Sequence, residues 1–192
     1  MIQGPDRLHQ TPNFQKMIKT MLIDTPLGEM IAGATGVGIC LLEFTDRKSL
    51  EAERNYIMKE CDDQIEAGEN EHLSKLAEQL KEYFSGDRQE FTLPLDIKGT
   101  EFRKLVWHEL LKIPYGTTRT YMEQAAALNR PSSVRAVANA NGENMIAIII
   151  PCHRVIGSDG SLTGYGGGLE KKNWLLEHEK KFSGKSFEQS LF

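Results

Sequence analysis

Cysteine is scarce in this sequence. Three cysteines, Cys40, Cys61 and Cys152, stand far apart in 192 residues, and no C-x-x-C pair occurs. An odd, scattered set argues against a disulfide framework or a zinc knuckle and points to a reducing compartment. Long apolar runs are missing too. The longest, Met145–Pro151, has the length of a buried strand and falls far short of the ~18–20 residues that span a bilayer. The opening stretch, MIQGPDRLHQTPNF, has no apolar signal core, so the expectation is a cytoplasmic protein that is not secreted. No internal repeat or low-complexity tract is present. Hydrophobic residues make up 40% and charged residues 26%, a balance that packs a core and argues against global disorder. The length suits one good-sized domain or two small ones.

Positive charge is also in short supply, with a net charge of −4. Its distribution is uneven. Residues 1–95 hold 10 Lys/Arg and 17 Asp/Glu, a net −7, whereas residues 96–192 hold 13 Lys/Arg and 10 Asp/Glu, a net +3. A surface that contacts phosphates needs local rather than global positive charge. Charge alone leaves two readings open: a nucleic-acid-facing second half, or ordinary variation between two domains.

Local patterns divide the chain near residue 95. Residues 1–16 are polar, with two prolines, and read as frayed. Between Lys19 and Phe44 short apolar stretches alternate with turn residues (TPLG, TGVG), the mark of a small antiparallel meander. Residues from Leu50 to Gly68 are acidic and helix-compatible. HLSKLAEQLKEYF carries apolar residues at helical spacing and stops at Gly86. FTLPLDI reads as extended, with Pro94 suited to an edge or a linker. The second half reads mostly helical. Thr100 is a candidate cap for a helix over GTEFRKLVWHELLKI. Two short helices follow, YMEQAAALN and SSVRAVANAN, the second capped by its first serine. Then come a buried strand (IAIIIP), a glycine-rich loop and a final amphipathic helix, LEKKNWLLEHEKK. That order is the pattern of a helix-turn-helix with a wing.

The segment Ile150-Pro151-Cys152-His153-Arg154-Val155 holds the chemistry. A cysteine ending a buried strand, with a histidine beside it, has the parts of an activated thiol. Neighbours on a strand point to opposite faces, so a water bridging Cys152 and His153 is easier than a direct bond. A bare Cys-His pair is more often a structural cysteine beside a surface histidine. The surrounding residues reverse that reading.

Those residues are Ile-Pro-Cys-His-Arg-Val itself, a glycine loop with Tyr165, and Trp174-Leu175-Leu176-Glu177-His178-Glu179. Upstream stand Gly99-Thr100-Glu101-Phe102, Val106-Trp107, Ile113-Pro114-Tyr115-Gly116, Thr120-Tyr121 and Arg135-Ala136-Val137. Together they resemble the O6-alkylguanine-DNA alkyltransferases over roughly residues 95–180. Thr25-Pro26-Leu27-Gly28 matches more weakly.

The resemblance implies an α+β protein: a small ribonuclease-H-like α/β domain over residues 1–95, a winged-helix-like domain over 96–182, and a polar tail over 183–192. It implies DNA repair in which an alkyl group leaves O6 of guanine, or O4 of thymine, for Cys152 in a single turnover. His153, through water, is the implied base, with Glu179 holding its ring. Tyr121 is the implied proton donor to the leaving guanine, and Asn144 fixes the turn that leads to the cysteine. Val155, Thr163, Tyr165 and Gly166 are implied to line the base pocket. Arg135, Ser132, Ala136, Asn141 and Thr120 are implied DNA contacts, with Arg135 filling the gap left by a flipped base. The expected partner is double-stranded DNA containing O6-alkylguanine, bound by a monomer with no obligate protein partner and no membrane. No cofactor and no metal is expected. Ala34-Thr35 stand where some relatives carry a zinc ligand. Three other readings compete: a non-catalytic binder of alkylated DNA, a winged-helix regulator and a cysteine hydrolase. The first would lack Cys152, the second leaves Pro-Cys-His-Arg unexplained, and the third wants its histidine distant in sequence.

Overall fold

The computed structural model describes residues 17–62 and 64–184. The frayed start expected over 1–16, and the tail from residue 185 on, lie outside the described residues. Strand β1 (Met17–Thr25) turns through Pro26-Leu27 into β2 (Gly28–Ala34), and β2 pairs antiparallel with β3 (Ile39–Phe44). Gly28 turns the hairpin at φ +109°, and the Thr25 hydroxyl donates to its carbonyl at 2.6 Å. Every residue of β3 is buried. Helix α1 (Leu50–Cys61) then carries the chain to β4 (Gln64–Ala67), which runs parallel to β1, so the sheet order is β3-β2-β1-β4. Strand β4 is a departure from the helical reading of residues 50–68. Its four residues, QIEA, are mostly exposed, and pairing with the edge of β1 makes them a strand.

Helix α2 (Glu71–Ser85) is capped by Asn70, which accepts from the His72 amide at 2.8 Å, and ends at Gly86 in the left-handed region. Its buried face, Leu73, Leu76, Leu80 and Tyr83, packs on the sheet. Residues 91–97 run beside β3, with the Ile39 amide donating to Pro94 and the Asp96 amide donating to Ile39.

The second half centres on α3 (Glu101–Leu110), α4 (Tyr121–Ala127) and α5 (Val134–Gly142). Thr100 caps α3 by accepting from the Arg103 amide. Val106, Trp107 and Leu110 form the buried face of α3, each contributing about 1.5–3 kcal/mol by leaving water. The Trp107 indole also donates to the Ala140 carbonyl at 2.7 Å, tying α3 to α5. Strands β5 (Arg119–Thr120) and β6 (Val155–Ile156) form a short parallel pair beside these helices, and α6 (Leu169–Phe182) is the last element among the described residues.

Two local expectations need correction. Ser132 does not cap the helix it precedes. Pro131–Ser133 form a 3₁₀ turn and α5 begins at Val134, because Pro131 fixes φ at the first position of that tighter turn. Residues 145–150 are buried as expected but are no strand. They coil in consecutive turns, with the Ile150 amide donating to Ile146 and the Cys152 amide to Ile150. Ile148 sits at φ +70°, a conformation that strains a β-branched residue.

Candidate active site

Cys152 opens a 3₁₀ turn, Cys152–Arg154, and is 6% exposed. It therefore stands in a tight turn rather than at the end of a strand. Asn144 builds this turn. Its side-chain oxygen accepts from the Ile146 amide at 3.0 Å, and its amide nitrogen donates to the Ile150 carbonyl at 2.8 Å and to the Cys152 sulfur at 3.2 Å. One buried side chain thus closes the coil and bonds the thiol. Burial pushes that thiol up to about 11, and the Asn144 bond offsets only part of the shift. At neutral pH the resting group is a thiol, so it needs a base at the moment of reaction.

His153 is fully buried, with Nε2 at 2.8 Å from the Glu179 carboxylate. Its Nδ1 is buried and has no hydrogen-bond partner among the described residues. Burial holds the ring below the ordinary histidine value despite Glu179. The ring is therefore neutral, with the proton on Nε2 toward the carboxylate and a lone pair on Nδ1. That is the protonation state a general base requires.

Glu179, on α6, is fully buried and accepts from five donors. They are the Tyr83 hydroxyl (2.9 Å), the Gly116 amide (3.1 Å), His153, and Arg154 through Nε (2.8 Å) and Nη2 (2.9 Å). Burial alone would raise its carboxyl. His153 and Arg154 override that and hold it well below the usual carboxylate range. Arg154 supplies the counter-charge, which leaves His153 free to stay neutral. Arg154 and Tyr83 were not singled out from the sequence.

The far wall is the loop 157–168. Tyr121, at the first position of α4, donates its hydroxyl to the Thr163 carbonyl at 3.0 Å, and burial pushes its pKa above the ordinary tyrosine value. Lys172 reaches the same carbonyl at 2.6 Å and the Val155 carbonyl as well. It is completely buried, and burial lowers it to about 8. The sequence offered a signal for it. Lys172 shares one helical face with Leu175 and Glu179, at spacings of three and four. Gly164 is a glycine on two counts: φ is +68°, and a Cβ there would lie 2.6 Å from the Tyr121 hydroxyl. The Thr163 side chain is exposed, so its backbone carbonyl is what joins the network. Tyr165 is half-buried, with its ring edge-on to His153 and a buried hydroxyl that has no partner among the described residues. Val155 is buried and Gly166 is exposed.

A groove of about 630 Å³ runs between α5 and this loop. Ala138, Asn139 and Gly142 line one side, and Gly164, Tyr165 and Gly168 the other. Arg135 and Ala136 lie exposed at the start of α5, and Ser132 is exposed just before it. Thr120 is half-buried and closes a capping box with Glu123 at the start of α4. Asn141 must be corrected as a DNA contact. It is 1% exposed, and its amide exchanges two hydrogen bonds with Gln124, at 2.7 and 3.2 Å. Its side chain locks α4 to α5 and is buried away from the surface in that position.

Comparison with known proteins matches this geometry. A family model described as "6-O-methylguanine DNA methyltransferase, ribonuclease-like domain" fits residues 18–97, and one described as "6-O-methylguanine DNA methyltransferase, DNA binding domain" fits residues 101–181. A methylated-DNA–protein-cysteine methyltransferase of Mycobacterium leprae is 42% identical over 85% of this chain and 93% of its own length. The crystal structure of the Mycobacterium tuberculosis O6-methylguanine methyltransferase superposes with a TM-score of 0.73 at 40% identity, covering 88% of this chain and 96% of that one. The same organism's OGT in complex with DNA gives 0.72 at 40% identity, covering 86% and 94%. The chain belongs to the 6-O-methylguanine DNA methyltransferase family.

Proposed function

We propose that this chain repairs DNA by moving an alkyl group from O6 of guanine to the sulfur of Cys152, once per molecule. The observation that carries the reading is the relay from Glu179 to a neutral, buried His153 beside a buried cysteine whose sulfur is held by Asn144. The relatives' names and the DNA complex support the same chemistry and DNA as partner. The alkylated duplex is the substrate, residues 1–95 form the supporting domain, and residues 96–182 carry the site.

The steps balance without any further reactant. The modified base leaves the stack and enters the groove between α5 and the loop. The thiol proton passes to Nδ1 of His153 through a water. The sulfur attacks the alkyl carbon, so a C–S bond forms as the C–O6 bond breaks. The Tyr121 hydroxyl protonates a ring nitrogen of the departing guanine, which would otherwise leave as a poor anion. Tyr121 is then re-protonated by way of His153. The product is a thioether with no leaving group for water to expel, so the protein stops after one turn. Intact mass after incubation with a duplex containing O6-methylguanine tests this. One added methyl per chain, mapped to the Cys152 peptide, is expected. An unchanged mass, or a methyl on another residue, overturns it.

Arg135 is the second residue of α5 and exposed beside the groove. We assign it to the space that the flipped base vacates. Unstacking costs a few kcal/mol, and offsetting ~1.4 kcal/mol of that changes the rate tenfold. Arg135→Ala is expected to slow repair of the alkylated duplex by about tenfold or more, while the free modified base reacts normally. A lesion opposite a mismatch should recover part of the loss. A variant equally slow on free base and duplex would place Arg135 in the pocket or the fold instead. Uniform weakening on every duplex, with a reduced salt slope, would make it a phosphate contact.

A further inference from the structure

Arg47 stands just after β3, far in sequence from the active-site turn, yet its guanidinium lies under the Asn144 segment that builds that turn. The side chain is 7% exposed and pairs with two carboxylates, Glu43 and Glu53. Its Nε donates to the Ser49 hydroxyl at 2.8 Å. The remaining donors cross to the second half of the chain: Nη2 reaches the Gly142 carbonyl at 2.7 Å and Nη1 the Asn144 carbonyl at 3.2 Å. Asn144 in turn donates to the Cys152 sulfur.

The same guanidinium touches the opposite wall. A Cβ built on Gly166 would lie 2.5 Å from its carbon and from Nη1. Gly166 is not in the left-handed region, so what it requires there is room for Arg47 rather than conformational freedom. A Cβ built on its neighbour Gly167 would likewise lie 3.0 Å from the Phe44 ring of β3. The corner after β3 is thus a floor shared by the cysteine turn and the base-pocket loop.

We propose that Arg47 is a positioning residue for alkyl transfer, fixing the Asn144 turn and the Gly166 loop on one planar group and so setting the distance between the Cys152 sulfur and the bound base. The inference rests on the alkyl-transfer reading above. A guanidinium presents five donors in a rigid fork, which fixes the direction of both carbonyls, whereas a lysine ammonium supplies charge without that geometry. If Arg47 only neutralised two buried carboxylates, any cation able to reach them would serve the chemistry equally.

The test compares Arg47→Lys, Gly166→Ala and the double variant. Each is measured for its first-order transfer rate at saturating O6-methylguanine duplex, its affinity for unmodified duplex, and its folded fraction by urea unfolding. Displacement by about an ångström costs up to ~10²-fold in rate. Arg47→Lys and Gly166→Ala are each expected to slow transfer by the folded protein by about ten- to a hundredfold, with duplex affinity unchanged. The double variant should be no slower than the slower single variant, because the clash disappears with the guanidinium. Folded Arg47→Lys at the parent rate overturns the proposal, and so do losses that multiply in the double variant. If Arg47→Lys does not fold, Gly166→Ala decides, since it keeps both ion pairs: transfer at the parent rate overturns the proposal. A parent protein that takes up no alkyl mass on Cys152 would sink the alkyl-transfer reading itself.

Discussion

Cys152→Ala is expected to give a folded protein that binds DNA as the parent does and gains no alkyl mass at all. The fold survives because little depends on the sulfur. Its removal forfeits burial worth about 1 kcal/mol. Asn144 keeps its donation to the Ile150 carbonyl, and the N–H released by the sulfur still has the Ile146 carbonyl at 3.5 Å. Transfer vanishes because the reacting sulfur is gone and the two remaining thiols, Cys40 and Cys61, lie buried in other elements. Cys40 is 1% exposed within β3, and burial pushes its thiol up to about 12. Cys61 is buried at the end of α1. Cys40→Ala and Cys61→Ala should each transfer at the parent rate. Intact mass after reaction, with duplex affinity measured by titration, checks all three variants. An alkyl group gained by Cys152→Ala would move the acceptor elsewhere.

The burial of that thiol also bears on its reactivity. With the group pushed up to about 11, the resting sulfur is protonated at neutral pH. A small electrophile meeting the resting protein finds an inert sulfur. A base bound beside His153 finds one that can be deprotonated as it attacks. Burial thus suppresses side reactions, and the relay restores reactivity where the substrate sits.

Much of this was legible in the sequence, for identifiable reasons. Helices α2, α3 and α6 announce themselves by apolar spacing and by capping residues such as Thr100 and Gly86, because those signals act within a few residues. The TPLG turn does the same for the first hairpin. Strand β4 was missed because QIEA has no strand character of its own; its partner β1 lies more than forty residues away. The run from Met145 to Ile150 was rightly read as buried and wrongly as extended. Apolar residues report burial, while the Asn144 side chain decides the backbone path. Buried charges were the hardest to see. Arg47, Arg154 and Lys172 look like surface residues in sequence, and only partners from distant segments show otherwise. Asn141 failed in the opposite sense: a polar residue on the helix expected to read DNA turned out to face Gln124.

Glu179→Gln is expected to lower both stability and transfer sharply. The carboxylate takes five hydrogen bonds on two oxygens. An ionised carboxylate is acceptor-only, whereas a glutamine amide turns one of those oxygens into a donor facing other donors. If the amide replaces Oε2, it opposes the Gly116 amide and Arg154 Nε. If it replaces Oε1, it opposes Tyr83, His153 and Arg154 Nη2. In either orientation Arg154, with a side chain 9% exposed, loses its counter-ion. Breaking a buried ion pair from one side costs about 3–5 kcal/mol. The chemistry suffers separately. Without a carboxylate at Nε2 the proton is no longer held there, and Nδ1 is not kept as the acceptor. General-base catalysis is worth about 10²–10⁴-fold, so transfer by the folded fraction should fall within that range. The pH dependence has a definite sign. In the parent, His153 and Arg154 override burial and hold the folded-state value well below the ordinary glutamate value of 4.5. The resulting stability is fully present above the unfolded value and is lost as pH falls below it toward the folded value. The gap between parent and variant should therefore be constant from neutral pH down to about 5 and narrow as the solution becomes more acidic. Urea unfolding across that range, paired with single-turnover rates on methylated duplex, measures both effects. A variant as stable as the parent at neutral pH would mean the five-donor hub does not hold the fold. A gap that widens in acid would mean Glu179 is not the group that titrates.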